Sequence, residues 1–183
     1  DVDFFLLDAF RYRNLSPKDR ELPQVLGPEQ IEWLRQALLQ SEATFKIIIA
    51  GAPILNPADS PGHLSYAEIE HTQFLEMLRG TRASGLFFIS GGKGFGELTR
   101  LVHANSYNLH DLTVGPLTAV PEDDSDELNF FRMPGTSTFE RQFALIGFSG
   151  TEDARVLTMR VMNAAGEELW KRSLEASTMQ PAN

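Results

Sequence analysis

Cysteine is absent from the 183-residue chain. That excludes disulfides, thiolate metal sites and cysteine nucleophiles. It leaves the compartment open, since exported proteins can also do without cysteine. No run of 18 apolar residues occurs, so no segment reads as a membrane-spanning helix. Basic runs are missing as well: 16 Lys and Arg face 25 Asp and Glu, for a net charge of -9. Holding a nucleic-acid backbone needs clustered cations, so nucleic acid is not expected as a partner. Histidine is scarce, and no two of His63, His71, His103 and His110 stand at the His-x-x-x-His spacing of a helical metal site. No Ser-His-Asp set or pair of catalytic carboxylates can be assembled from spacing alone.

What is present is a core. Apolar residues make up 42% of the chain, which at this length suits one folded domain rather than a disordered segment. Val2 to Leu7 is a short apolar run ending at Asp8 and reads as a buried strand. Because this run starts at once and the first residue is Asp1, the chain reads as a fold entered at a strand, expected to be a mature, processed or excised segment of a larger protein. Arg11 to Pro23 reads as loop. Gly27-Pro28-Glu29 opens a helix whose apolar face carries Ile31, Trp33, Leu34, Ala37, Leu38 and Leu39. Phe45 to Ala50 is a second strand, and Gly51 to Gly62, with three prolines, is loop. Tyr66 to Arg79 predicts a second helix with Ile69, Phe74, Leu75 and Leu78 inward, and Gly85 to Ser90 a third strand. Strands alternating with helices imply parallel pairing with right-handed crossovers. Tyr107 to Val114 alternates apolar and polar residues. Arg141 to Phe148, Arg155 to Met162 and Glu168 to Leu174, separated by turn sequences, predict an antiparallel meander. The expected fold is mixed α/β, with layered sheets and flanking helices. A single domain over 1–183 would hold a βαβαβ part, 1–118, and a C-terminal β meander, 119–183.

The chemistry concentrates after the third strand, in Ser90-Gly91-Gly92-Lys93-Gly94-Phe95-Gly96-Glu97-Leu98-Thr99-Arg100. A short polar helix is expected behind the glycines, with Glu97 at its start. The loop is neither a Walker A sequence nor Gly-x-Gly-x-x-Gly. Gly92, Lys93 and Gly94 either make only a turn or form an anion cradle, with backbone N–H groups and the Lys93 charge facing a phosphate. His63 falls in the loop after the second strand, where open α/β sheets place ligands. It reads as a solvated loop residue or as a ligand or acid-base group. Asp8 reads as a carboxylate holding a loop or Arg13, or as part of a phosphate or metal site. His71 is expected on an exposed helix face, and His103 and His110 at the surface. Trp33 reads as core or domain contact. The acidic run Glu122-Asp123-Asp124-Ser125-Asp126-Glu127 lacks the glycine and spacing of an EF-hand and reads as a solvated turn.

Several blocks together resemble the C-terminal half of the alkaline phosphatase D (PhoD-like) family of metallophosphoesterases. Phe4-Phe5-Leu6-Leu7-Asp8-Ala9-Phe10-Arg11-Tyr12-Arg13 is similar to its strand ending in Leu-Asp-x-Arg-x-x-Arg. Leu26-Gly27-Pro28-Glu29-Gln30-Ile31-Glu32-Trp33-Leu34 is similar to its Leu-Gly-x-x-Gln-x-x-Trp-Leu helix. Ser90 to Arg100 resembles its Ser-Gly-Asp-x-His loop, and Leu112-Thr113-Val114-Gly115-Pro116-Leu117-Thr118 its Leu-Thr-x-x-Pro-Leu-Thr. Three positions depart from the pattern: Gly92 stands for the family's Asp, Gly94 for its His, and Phe10 for an Arg. The family's upstream ligand segments have no counterpart.

The resemblance implies a phosphoesterase scaffold with a degenerate metal loop. Glycine carries no donor side chain, so no complete metal site and no cofactor are expected in this chain. Ca, Fe, Mn or Zn would be implied only if the family site survives in a complete protein. The leading expectation is a domain that does not hydrolyse phosphate esters by itself. One alternative is an active phosphomonoesterase or phosphodiesterase with metals held by an upstream segment. His63 or His103 would then compensate for the lost ligands, and Lys93 or Arg13 would stabilise charge. The other is a phosphate- or nucleotide-binding module. The implied partners are an N-terminal half of the same protein and a phosphorylated small molecule, and the implied location is periplasmic or secreted.

Overall fold

The computed structural model describes residues 1–16, 22–58, 60–102, 106–123 and 126–182. The main sheet contains β1 (Val2–Leu7), β2 (Phe45–Ala50), β3 (Leu86–Ser90), β4 (Glu97–Leu101) and β5 (Leu109–Thr113), in the order β1-β2-β3-β5-β4. β1, β2, β3 and β5 run parallel, and β4 is antiparallel to β5. Helix α1 (Pro28–Gln40) links β1 to β2, and α2 (Glu68–Thr81) links β2 to β3. A three-stranded antiparallel sheet follows, β6 (Gln142–Ser149), β7 (Val156–Asn163) and β8 (Glu168–Glu175).

Composition explains the layering. Apart from Lys46 and Ser90, Phe45–Ala50 and Leu86–Ser90 are apolar without alternation, and Ile47, Ile48, Phe87 and Phe88 are wholly buried. Such strands are stable only with both faces covered. The helices cover one face, where Phe74 of α2 packs on Phe88 at 6.4 Å between ring centroids. The meander covers the other, where Phe148 meets Phe45 at 5.4 Å. On β7, Leu157, Met159 and Val161 are buried and belong to the same apolar cluster as β2 and β3. The turn into α1 is held by a buried carboxylate: Glu70 of α2 accepts from the backbone N–H groups of Val25 (2.7 Å), Leu26 (3.1 Å) and Gly27 (2.7 Å).

Some expectations from the sequence change. The glycine loop leads into a strand, not a helix, because β4 finds backbone partners on both sides. It pairs with β5, and it is bridged to 131–138 through Thr99–Arg132 and, just ahead of the strand, Gly96–Thr138. Glu97 is therefore fully buried rather than a helix-start carboxylate. β5 is buried along its whole length, which takes His110 out of the surface. Ile69 and Trp33 are about half exposed, since α1 reaches the core through Leu34 and Leu38 and α2 through Phe74 and Leu78. His71 is half-buried rather than on an exposed face. His103, Asp124 and Ser125 lie outside the described residues.

Candidate functional site

The polar chemistry gathers where β2, β3 and β5 end. As β3 leaves the sheet, Gly92 adopts φ +80, and a Cβ built there would lie 2.7 Å from the Gly51 carbonyl oxygen of the β2 exit. Only glycine suits both the left-handed conformation and that close approach. At Gly94 a Cβ would lie 2.6 Å from the Glu122 side chain. An aspartate at 92 would need the backbone to move, and a histidine at 94 would need Glu122 to leave. The β2 exit loop is held from inside the sheet by Asp111 of β5. Its carboxylate accepts from the N–H groups of Ile54 (2.8 Å) and Leu55 (2.9 Å) and from Ser90 Oγ (2.7 Å). Full burial raises the pKa of Asp111 above the usual carboxylate range.

This frame presents a buried charge cluster. Lys93 Nζ donates to Glu127 Oε1 and lies 3.7 Å from Glu97 Oε1, with all three side chains at most 10% exposed. Asn56 Nδ2 bridges the two carboxylates, 2.6 Å from Glu97 Oε1 and 2.7 Å from Glu127 Oε1. Arg132 Nε donates to Glu97 Oε2 at 2.6 Å, and Asn129 Nδ2 to Glu97 Oε1 at 3.1 Å. The Phe95 ring backs both cations, 4.3 Å from Lys93 Nζ and 5.6 Å from the Arg132 guanidinium carbon. Burial alone would raise the Glu127 carboxyl, but the hydrogen bonds from Lys93 and Asn56 outweigh it and hold its pKa below the ordinary value.

His63 is buried against this cluster, with Nε2 3.8 Å from Glu127 Oε2 and Nδ1 3.2 Å from the Ala58 carbonyl. Burial, followed by the Lys93 charge, lowers its pKa, so the imidazole is neutral at pH 7. The carbonyl contact places the proton on Nδ1 and leaves the Nε2 lone pair toward Glu127. A cavity of about 140 Å³ opens here, lined by Ser60, Gly62, His63, Gly92, Lys93, Gly94, Glu122 and Glu127.

The sequence-derived candidates thus separate. His63, Gly92, Lys93 and Gly94 share one cavity. Arg13 reaches the same loop from outside, donating to the Pro61 carbonyl at 2.8 Å and stacking on Phe10. Asp8 closes a local turn, its Oδ1 accepting from the N–H groups of Phe10 and Arg11 at 2.9 Å each. Those bonds, Arg11's first, lower its pKa. Spacing gave no hint of Glu97, Glu127, Asn56, Asn129, Arg132 or Asp111. The available signal was alternation in Glu97-Leu98-Thr99, which as a strand sends Glu97 and Thr99 to one face.

The metals implied by the family resemblance can be tested against this donor set. Among the described residues no group of three His, Cys, Asp or Glu side chains is arranged to hold a metal ion. The two carboxylates that converge already share an ammonium, a guanidinium and an amide, so the residues as placed do not fit a metal.

No protein-family model matches the chain, and no curated protein matches it either. Among solved structures, that of PhoD is similar, with a TM-score of 0.65 at 14% identity over 99% of this chain and 43% of the PhoD chain. The chain has a PhoD-like fold and spans less than half the length of that neighbour. Among the described residues, no helix is long and apolar enough to cross a membrane.

Proposed function

We propose that this chain is a PhoD-like metallophosphoesterase-fold domain whose own residues build no metal centre, a pseudoenzyme unit that does not hydrolyse phosphate esters by itself. It would serve as a structural or binding part of a larger protein. One observation carries the reading: at the strand ends, an ammonium from the chain itself sits between Glu97 and Glu127, beside glycines with no room for a side chain. The test is metal content by mass spectrometry after exposure to Ca²⁺, Fe²⁺, Mn²⁺ and Zn²⁺, with a phosphodiesterase assay alongside. The expected result is less than one equivalent of bound metal and no turnover. Tightly held metal together with chelator-sensitive hydrolysis would overturn the reading.

Phosphate binding at Gly92, Lys93 and Gly94 is the second reading, supported by the cavity those residues share with His63. Electrostatics works against it. Lys93 and Arg132 are balanced by Glu97 and Glu127, and Glu122 adds a further negative charge to the lining. A phosphate would have to displace a carboxylate from Lys93, so binding weaker than millimolar is expected, and tight binding lost in Lys93→Ala would favour this alternative.

A further inference from the structure

The cavity at the strand ends is rich in acceptors and poor in donors. Its cation, Lys93, is turned inward, with the ammonium between Glu97 and Glu127 and against the Phe95 ring. The Nδ1 proton of His63 is committed to the Ala58 carbonyl, which leaves Nε2 as an acceptor. The atom it faces is another acceptor, Glu127 Oε2, at 3.8 Å and beyond hydrogen-bond reach. Asn56 and Lys93 both bond Oε1 of that carboxylate, so Oε2 keeps its lone pairs. The two side chains are 3% and 10% exposed, and acceptors so far removed from bulk water are costly to leave without a donor. Glu122 adds a third acceptor at the rim. It is exposed, and its carboxylate makes no hydrogen bond or ion pair among the described residues. Gly94 admits it there, since a Cβ at 94 would lie 2.7 Å from Glu122 Oε2.

We propose that this cavity binds a primary amine in its ammonium form, with the NH₃⁺ group donating to His63 Nε2, Glu127 Oε2 and the Glu122 carboxylate. The inference rests on the reading of the site as metal-free and names its ligand class. Charge selects a cation: Glu97, Glu122 and Glu127 against Lys93 and Arg132 leave one negative charge. Geometry selects an ammonium over a metal. A metal such as zinc needs donors converging to about 2.0–2.2 Å, and among the described residues no group of three does so. An ammonium sends three N–H donors in separate directions and bonds at about 2.7–2.9 Å. Size limits the rest of the ligand. About 140 Å³ is room for four or five groups of ~30 Å³ each, an ammonium and a short unbranched stem. Val120 stands two residues before Glu122 and Leu128 directly after Glu127, and they are 76% and 68% exposed. Apolar surface thus borders both carboxylates where the stem leaves.

Titration of the metal-free, ¹⁵N-labelled protein with n-butylammonium chloride at about pH 8 tests this, read by calorimetry and by the His63 Nε2 resonance. The expected result is saturable one-site binding with Kd of about 1 mM, and an upfield shift of Nε2 as it accepts a hydrogen bond. Glu122→Gln, at an exposed position with no partner to lose, should leave the thermal midpoint unchanged and weaken binding roughly tenfold. n-Butanol, the same stem without the charge, should give no saturable signal. Absence of amine binding, equal binding of n-butanol, or an affinity that Glu122→Gln leaves unchanged would overturn the inference. So would inorganic phosphate binding more tightly than the amine, which would return the cavity to the phosphate reading. Metal content is measured on the same preparation. A metal-free protein that ignores the amine removes this inference and leaves the proposed function standing, whereas tightly held metal with hydrolysis removes both.

Discussion

Replacing Lys93 with methionine keeps the length of the side chain and removes the ammonium between Glu97 and Glu127. At the 3.7 Å separation from Glu97, the attraction is about 4 kcal/mol at an effective dielectric near 20. Glu127 loses a direct hydrogen bond as well. Asn56 and Arg132 remain, so the two carboxylates are not wholly abandoned. The net loss should be that of a buried pair broken on one side, about 3–5 kcal/mol. With a urea slope of about 2 kcal/mol/M, the unfolding midpoint should fall by roughly 2 M at pH 8. The loss has a pH signature. In the parent, the lowered pKa of Glu127 means that its stabilisation is complete above the unfolded value near 4.5 and is lost as pH falls further. In Lys93→Met the missing cation no longer lowers the Glu127 carboxyl, so its pKa rises, and the deficit against the parent is largest at high pH and shrinks on acidification. Adding Glu127→Gln should recover much of the loss, since the uncompensated charge goes with it. A midpoint change below about 0.5 M, equal at pH 5 and pH 8, would refute a desolvated cluster.

Glu70→Ala should rank among the most damaging single changes outside the core. Three backbone N–H groups lose their acceptor, about 4 kcal/mol in total, which in a chain of this size lowers Tm by roughly 8–16 °C in a thermal melt. His110 should dominate the acid response. Burial, with the Arg100 charge, lowers its pKa to about 4, so stability is complete above the unfolded value of 6.5 and falls as pH drops toward 4. The contribution is about 3 kcal/mol, and urea melts of His110→Asn across that window should be flatter by that amount.

The parallel core was legible because its signals are local. Phe45–Ala50 and Leu86–Ser90 are apolar apart from Lys46 and Ser90, and the Pro and Gly residues mark the breaks. The meander was legible from alternation and from turns at Gly150 and Gly166, both at positive φ. β4 was not, because a five-residue strand behind glycines takes its identity from partners at 109–113 and 131–138. The site failed for the same reason. His63, Lys93 and the glycines stood out as residue types, but Glu127 sat inside an acidic run that reads as solvated. Its burial comes from contacts 34 and 71 residues away in sequence, with Lys93 and Asn56. Nothing at short range distinguishes that carboxylate from its neighbours.

The charge cluster also explains how the β4 edge of the sheet is finished. Buried ion pairs are poor sources of net stability, since apolar residues of the same volume often do as well. Their value lies in position. Arg132 and Asn129 reach Glu97 on β4, and Glu127 reaches Lys93 on the β3 exit, so the cluster fixes 127–132 against β4. In that register the Phe131 carbonyl accepts from Arg100 N–H at 2.8 Å and the Met133 N–H donates to the Leu98 carbonyl at 2.8 Å. Glu97 and Glu127 thus hold a covering segment on the β4 edge. A polar anchor of this kind tolerates no shift, because sliding by one residue would leave Glu97 without its guanidinium.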